Sequence, residues 1–311
     1  MYPLAGKRVL VLGHRGMVGA ALVRRLKRED CEVVVAGRVQ ADLRRQIATE
    51  QLITSLKPDV IILAAAKVGG IYANAAQPAE FLYDNLMMTG NVVEAAHRCD
   101  VDRMLILGSS CIYPKFANQP IQEESLLTGP LEPTNEWYAI SKIVGIKLAQ
   151  AYRRQYGRKY ISAMPTNLYG PGDNFDLQTS HVLPALLRKV HEAKLQQDAC
   201  VTIWGSGTPR REFMHCDDCA DALIFTLENY DDDAHINIGT GEELSIRELA
   251  VMIRDVVSFE GEFEYDNSKP DGTPRKLLSI DKLTKLGWSS QIHLRAGIED
   301  VYAWYLHSLT S

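Results

Sequence analysis

Tyr138 and Lys142 stand four residues apart in the stretch WYAISK, within a segment whose spacing predicts a helix over 137–156. Four residues along a helix bring two side chains to one face. An ammonium beside a phenol favours the phenolate and lowers the tyrosine toward working pH. Such a pair gives a proton to a carbonyl oxygen, or takes one from an alcohol, as hydride moves at the carbon. A tyrosine and a lysine at this spacing also arise by chance, and Ser109 is what gives the pair weight. It follows a predicted strand over 103–107, in Leu107-Gly108-Ser109-Ser110-Cys111. The ends of parallel strands are where α/β proteins build their sites, and a hydroxyl there can donate to the same carbonyl oxygen.

Hydride chemistry needs a carrier. The first turn reads Gly13-His14-Arg15-Gly16-Met17-Val18-Gly19, after a strand predicted over 7–12 and before a helix that carries Val18, Leu22, Val23 and Leu26 at helical spacing. Glycines let a backbone turn tightly and approach a pyrophosphate, and the helix start offers free N–H groups and a positive dipole end. The second strand, predicted over 32–36, runs on into Gly37-Arg38 and brings no carboxylate to hold ribose hydroxyls. Arg15 and Arg38 can instead face a 2′-phosphate, which selects NADP; the alternative for both is a solvated surface charge.

These residues need a scaffold. Further strands are predicted over 59–66, 160–164, 201–204 and 235–239, with helices over 78–98, 184–194 and 245–257. Ser245 and Glu248 match a capping box at the start of the last helix. Alternating strands and helices imply an α/β fold, a doubly wound parallel sheet covered on both faces. The pattern loosens after Tyr169. Segments 217–228 and 235–239 are expected to return to the first sheet. The domains expected are therefore 1–168 with 217–241 for the dinucleotide, and 169–216 with 242–311 as a smaller mixed α/β substrate domain.

Composition narrows the class. The chain has 311 residues, 46% hydrophobic and 23% charged, with a net charge of -5. That is ordinary for a soluble globular protein, and the acidic balance points to neither a nucleic-acid nor an anionic-membrane partner. No apolar run is long enough to span a membrane, and the first residues read as a strand rather than a secretion signal. Six scattered cysteines fit reduced thiols in a cytoplasm. Cys216 and Cys219 form one CxxC without a second pair, so a structural role is expected there.

A strand-end serine, a Tyr-x-x-x-Lys helix and a GxxGxxG turn, in this order, resemble the extended short-chain dehydrogenase/reductase family with its Rossmann-type fold. Several stretches resemble its GDP-L-fucose synthase branch: GHRGMVG at 13–19, AAAKVGGI at 64–71, GSSCIYPK at 108–115, LEPTNEWYAISK at 131–142, MPTNLYGP at 164–171, SHVLPALLRK at 180–189, WGSGTPRREFMH at 204–215 and KPDGTPRK at 269–276. They span nearly the whole chain.

The resemblance implies conversion of GDP-4-keto-6-deoxy-D-mannose to GDP-L-fucose, by epimerisation at carbons 3 and 5 and reduction of the carbon-4 ketone with NADPH. It assigns Cys111 as base and His181 as acid beside Ser109, Tyr138 and Lys142; alone, the first would read as a structural thiol and the second as an ordinary polar residue. It borders the cofactor with Leu107, Gly108, Ser109, Ser110, Lys142, Pro165, Thr166, Asn167, Leu168 and His181, besides the turn and Arg38. It gives the GDP moiety Lys189, Trp204, Arg211 and Asp271; Lys189 departs from an expected arginine, and Trp204 would otherwise serve interdomain packing. It pairs helices 78–98 and 137–156 across a homodimer, although their apolar faces would also serve to cover the sheet. Related sugar dehydratases carry an Asp-Glu pair where this chain has Ser110 and Cys111, which argues against dehydration. A GDP-colitose synthase would use a similar site, and a non-catalytic cofactor sensor on the same fold would typically lose the tyrosine or the lysine.

Overall fold

A computed structural model describes residues 1–269 and 271–310. Pro270, in the 269–276 stretch, and Ser311, in the 242–311 segment, lie outside the described residues.

The first half alternates strands and helices: β1 (Arg8–Leu12), α1 (Met17–Leu26), β2 (Glu32–Ala36), α2 (Gln46–Leu56), β3 (Val60–Leu63), α3 (Ile71–Ala76), α4 (Pro78–Arg98), β4 (Arg103–Leu107), α5 (Glu136–Tyr156) and β5 (Lys159–Pro165). Beyond them come β6 (Asn167–Tyr169), α6 (Val182–Gln196), β7 (Cys200–Trp204), β8 (Arg210–Arg211), β9 (Phe213–His215), α7 (Cys216–Asn229) and β10 (Ile236–Ile238). The remainder is β11 (Leu244–Ser245), α8 (Ile246–Val257), β12 (Glu262–Asp266), β13 (Arg275–Lys276), α9 (Asp281–Lys285) and α10 (Leu294–Ser308).

The main sheet runs β2-β1-β3-β4-β5-β10, with every neighbouring pair parallel. Its inner strands are continuous apolar runs because both faces are covered. Val60, Ile61, Ile62 and Leu63 are all essentially buried. One face packs α1 and α7 through Leu22, Leu26, Leu223 and Leu227. The other packs α2, α4 and α5 through Ile53, Val92, Ala96 and Ala149. Truncating Leu22 or Ile62 to alanine would cost about 2–5 kcal/mol. A separate core gathers α6, α8, α10 and β7 around Leu187, Ile203, Ile253 and Val301.

Chain order reverses between β1 and β3, the point at which α/β sheets open a crevice at their strand ends. The glycine turn after β1 sits there. The third strand is shorter than 59–66, because residues 64–66 leave the sheet to cross that turn. A Cβ on Gly13, where φ is +93°, would lie 2.5 Å from the Ala65 nitrogen. The capping box forms as the spacing predicts: Glu248 N–H donates to Ser245 Oγ, and the Glu248 carboxylate accepts from the Ser245 N–H.

Candidate active site

Three features make the first turn a cradle for a pyrophosphate. A Cβ on Gly19 would come within 2.0 Å of the Gly13 carbonyl oxygen, so the helix can start this close to the turn only without a side chain there. A Cβ on Gly16 would meet only that same oxygen, at 3.6 Å, which leaves the approach to the helix start open. No side chain caps α1 and its first turn carries no acid, so Met17, Val18 and Gly19 present unclaimed N–H groups. His14 Nδ1 is buried without a hydrogen-bond partner among the described residues.

At the end of β2 the Arg15 guanidinium carbon lies 3.8 Å from where a Cβ on Gly37 would stand. Arg38 is mostly exposed, with Asp42 4.0 Å away. The structure thus sets both arginines beside the same strand end, with Gln40 accepting from the Gly37 N–H where a carboxylate would exclude a 2′-phosphate. A bound phosphate group fits this corner.

At the end of β4, Gly108 N–H donates to the Ala163 carbonyl, and a Cβ there would overlap the Met164 sulfur at 2.1 Å. This close passage delivers Ser109 to the sheet edge. Ser109 Oγ accepts from the Cys111 N–H at 3.3 Å and starts the short 3-10 turn Ser110–Ile112. Its hydroxyl also faces the Tyr138 phenol closely enough to favour the phenol's ionised form. Lys142 Nζ donates to the Leu107 carbonyl at 2.9 Å and lies 5.6 Å from the Tyr138 ring centroid.

The electrostatics differ from the expected lowering of Tyr138. Burial pushes the phenol well above its ordinary range, helped by the neighbouring Cys111 and opposed by the Ser109 hydroxyl. Lys142 undergoes the same desolvation with the opposite sign and is pushed down to about 8. The reason is geometric: the ammonium sits over the ring face, its hydrogen bond goes to a carbonyl, and both groups are withdrawn from water. The Tyr138 phenol therefore keeps its proton across the neutral range.

Cys111 receives two donors, Asn135 Nδ2 at 3.4 Å and Lys276 Nζ at 3.6 Å. His181 stands at the N-cap of α6, in a loop tied to residues 64–71 by the Gly70 N–H bond to the Thr179 carbonyl. Its ring is exposed at the surface, and the surrounding protein, followed by Lys276, pushes the imidazole below its ordinary range. Lys276 thus bears on both residues of the expected acid–base pair. Neither Lys276 nor Asn135 stands out in the sequence; both fall inside quoted stretches without a spacing that singles them out.

The four residues expected to hold GDP lie along one path. Exposed Trp204 is flanked by Lys189 and Lys269, with ammonium nitrogens 5.4 and 5.6 Å from its ring. Burial pushes Lys189 below its ordinary range. Asp271 accepts from the Ser206 N–H and hydroxyl at 3.0 and 2.7 Å, which fixes the loop after Trp204. Arg211 is buried enough to be pushed down, and the charges of Asp271 and Cys111 oppose that push.

Pro165, Thr166, Asn167 and Leu168 cross from β5 into β6. Asn167 Nδ2 and Thr166 Oγ1 both donate to the Glu212 carbonyl, at 2.8 and 3.4 Å, so these side chains tie the crossing to the second core as well as bordering the crevice. Glu212 itself is fully buried and accepts backbone N–H groups from Thr240, Gly241 and Leu278. A charged residue in an Arg-Arg-Glu run gives no sequence sign of that role. Cys216 and Cys219 are buried, their thiols pushed up mainly by burial. His215, Cys216 and Asp217 converge, but Arg24 takes the Asp217 carboxylate and His215 Nδ1 accepts the Asp217 N–H, so local hydrogen bonds account for the cluster.

Comparison with known proteins bears on what such a site does. The model of the NAD dependent epimerase/dehydratase family matches residues 9–239. A GDP-L-fucose synthase of Sinorhizobium fredii (strain NBRC 101917 / NGR234) is 59% identical over 302 residues, covering 97% of this chain and 96% of the relative. A GDP-L-colitose synthase of Yersinia pseudotuberculosis is 37% identical over 302 residues, covering 96% of this chain and 98% of the relative. The solved structure of a GDP-L-fucose synthetase from Naegleria fowleri bound to NADP matches with a TM-score of 0.91 at 30% identity, covering 100% of this chain and 96% of that one.

Proposed function

Because this chain belongs to the NAD dependent epimerase/dehydratase family, we propose that it makes GDP-L-fucose, epimerising carbons 3 and 5 of GDP-4-keto-6-deoxy-D-mannose and reducing the carbon-4 ketone. NADPH supplies the hydride. The turn 13–19 holds its pyrophosphate, Arg15 and Arg38 its 2′-phosphate, and residues 107–110, 165–168 and His181 border it.

Both epimerised carbons flank the ketone. Removing either proton leaves an enolate whose charge rests on the ketone oxygen. Ser109 and Tyr138 donate to that oxygen, so one pair of donors stabilises both enolates and the alkoxide of the reduction. Tyr138, held protonated by burial, gives its proton as reduction ends. Lys142, held over the ring face by the Leu107 carbonyl, offsets the charge left on the phenol when the proton goes. Cys111 takes the carbon-bound proton and His181 returns one from the opposite side of the ring. Lys189, Trp204, Arg211 and Asp271 hold GDP.

One observation carries the reading: the reductive trio and the thiol meet at one strand end, where Ser109 Oγ accepts from the Cys111 N–H and its hydroxyl acts on the Tyr138 phenol that α5 brings to it. The 59% identity to a GDP-L-fucose synthase, against 37% to a GDP-L-colitose synthase, favours a 6-deoxy over a 3,6-dideoxy sugar. The test is to mix the protein with NADPH and GDP-4-keto-6-deoxy-D-mannose and identify the sugar by NMR. GDP-L-fucose is expected; a reduced but unepimerised sugar would overturn the proposal.

A homodimer belongs to the same reading. The helices α4 and α5 leave Leu86, Met87, Ile140 and Val144 half-buried, with Tyr83 and Trp137 exposed beside them. A second copy would cover this face, and light scattering on the purified protein would report it. Cytoplasmic residence is supported by six free cysteines. Among the described residues no helix is long and apolar enough to cross a membrane.

A further inference from the structure

We propose that Asn135 is a positioning residue for the epimerisation: its amide N–H group holds the Cys111 sulfur, and its carbonyl oxygen accepts a hydroxyl of the bound sugar. This rests on the reading of Cys111 as the base.

Asn135 occupies the N-cap of α5, the helix that carries Tyr138 and Lys142. Asparagine is favoured there because its side chain usually accepts a free N–H of the first turn. Here it makes no cap bond. The helix start is secured by the backbone instead: Asn135 N–H donates to the Glu132 carbonyl at 3.1 Å, and Ala139 N–H donates to the Asn135 carbonyl at 2.9 Å. The side chain is turned away from its local role and donates to Cys111 Sγ at 3.4 Å.

Lys276 converges on the same sulfur at 3.6 Å. Two N–H donors on one sulfur suit the accepting form that a base must take, and a facing carbonyl oxygen would not. The end of the amide that faces Cys111 is the Nδ2 group. The other end, Oδ1, is then committed to the opposite side, where it is buried and has no partner among the described residues. Asn135 lines the cleft beside Cys111 together with Glu132 and Thr273. The Glu132 carboxylate is already taken by Lys115 at 3.0 Å and Thr273 at 3.4 Å. Asn135 Oδ1 is thus the unclaimed acceptor in that wall. A buried acceptor without a donor is costly, and a ligand hydroxyl removes the cost. One rigid amide would thereby set the distance between the base and the sugar carbon it deprotonates.

The test uses full-length Asn135→Ala and Asn135→Asp proteins. Iodoacetamide labelling of Cys111 is followed by peptide mass spectrometry across pH. NADPH affinity is measured by fluorescence, and deuterium wash-in to the GDP-sugar is measured in heavy water. In Asn135→Ala, labelling at neutral pH is expected to slow about tenfold, the worth of one hydrogen bond to a charged group. Wash-in falls at least as far, KM for the sugar rises, and NADPH affinity stays within about twofold. Asn135→Asp keeps the size but brings a negative charge to the sulfur, and is expected to label more slowly still. Labelling of both variants indistinguishable from the parent at every pH would overturn the proposal, as would loss of NADPH affinity in step with labelling, the mark of a general brace. If the parent itself washes in no deuterium, the epimerase reading fails, and the labelling comparison still decides whether Asn135 holds the sulfur.

Discussion

Lys142 lies over the face of the Tyr138 ring, 5.6 Å from its centroid, and gives its hydrogen bond to the Leu107 carbonyl rather than to the phenol oxygen. The two groups are moved apart in titration, the phenol up and the ammonium down to about 8. The phenol keeps its proton throughout the working range, so the charge that fails first with rising pH is the lysine's. NADPH oxidation is expected to decline above pH 8, approaching tenfold per unit, as Lys142 becomes neutral. Tyr138→Phe should lose about 10²–10⁴ in rate at every pH while binding NADPH as the parent does. A rate that holds level to pH 10 would remove Lys142 from the chemistry.

Cys111 and His181 are predicted to be dispensable for reduction and necessary for epimerisation. Cys111→Ala or His181→Ala should still consume NADPH with the 4-keto sugar, because Ser109, Tyr138 and Lys142 are untouched. The product should be the unepimerised alcohol, or the singly epimerised one. Product NMR separates these outcomes, and GDP-L-fucose formed at the parent rate by Cys111→Ala would exclude the thiol as base.

The corner formed by Arg15 and Arg38 is predicted to govern cofactor choice. Removing either guanidinium should weaken NADPH binding about 10–100-fold, the range for one hydrogen bond to a charged partner, and leave NADH nearly unchanged. Arg15, crowded against Gly37, should matter more than the largely exposed Arg38. Equal losses for the two cofactors in a fluorescence titration would show that the arginines serve the pyrophosphate or the fold instead.

If Lys189 holds a phosphate of GDP, it is predicted to hold it less tightly than an arginine at its place would. It is a point charge pushed down by burial beside Trp204, without the two-pronged fork that matches phosphate oxygens. Lys189→Arg is expected to tighten GDP binding several-fold in calorimetry with little change in the rate at saturating substrate. A turnover change without an affinity change would place Lys189 outside the nucleotide contacts.

Much of this could be read from residue patterns. The long helices α4 and α5 and the strands of the main sheet have strong periodicity, bounded by glycine, proline and polar residues, and they match within a residue or two, except that β3 ends three residues short of the expected 59–66. The pyrophosphate turn is legible because only glycine fits at Gly13 and Gly19. The helix α2 is not visible in the pattern, since it buries only Thr49 and Ile53 and carries no stripe. The helix α10 is absent from the sequence expectations although it carries one, with Gly297, Ile298, Val301 and Tyr305 buried at helical spacing. The strands β8, β11 and β13 are two residues each and exist only through their partners. In the site, residue types announce Ser109, Tyr138 and Lys142. Asn135, Glu212 and Lys276 act through contacts made far along the chain, for which no local pattern exists. The direction of the Tyr138 shift runs against the sequence expectation for the same reason, since burial depends on packing that spacing does not encode.

Asp173 offers a test of stability rather than catalysis. Its carboxyl is pushed up to about 7 by burial; one oxygen accepts the Asn174 N–H at 2.7 Å, and the other is buried without a partner among the described residues. An unfolded aspartate titrates near 3.8. Between that value and about 7 the unfolded chain has released a proton that the folded chain keeps, so folding stability falls as pH rises through this window and levels off above it. The Asp173→Asn variant has nothing to ionise at this position and escapes the fall. It should melt several degrees above the parent at pH 8 and close to it at pH 4, by circular dichroism. An equal gap at both pH values would mean that Asp173 titrates alike in the folded and unfolded chains, and that its buried oxygen is solvated in a way the packing around Gly170 and Cys216 does not suggest.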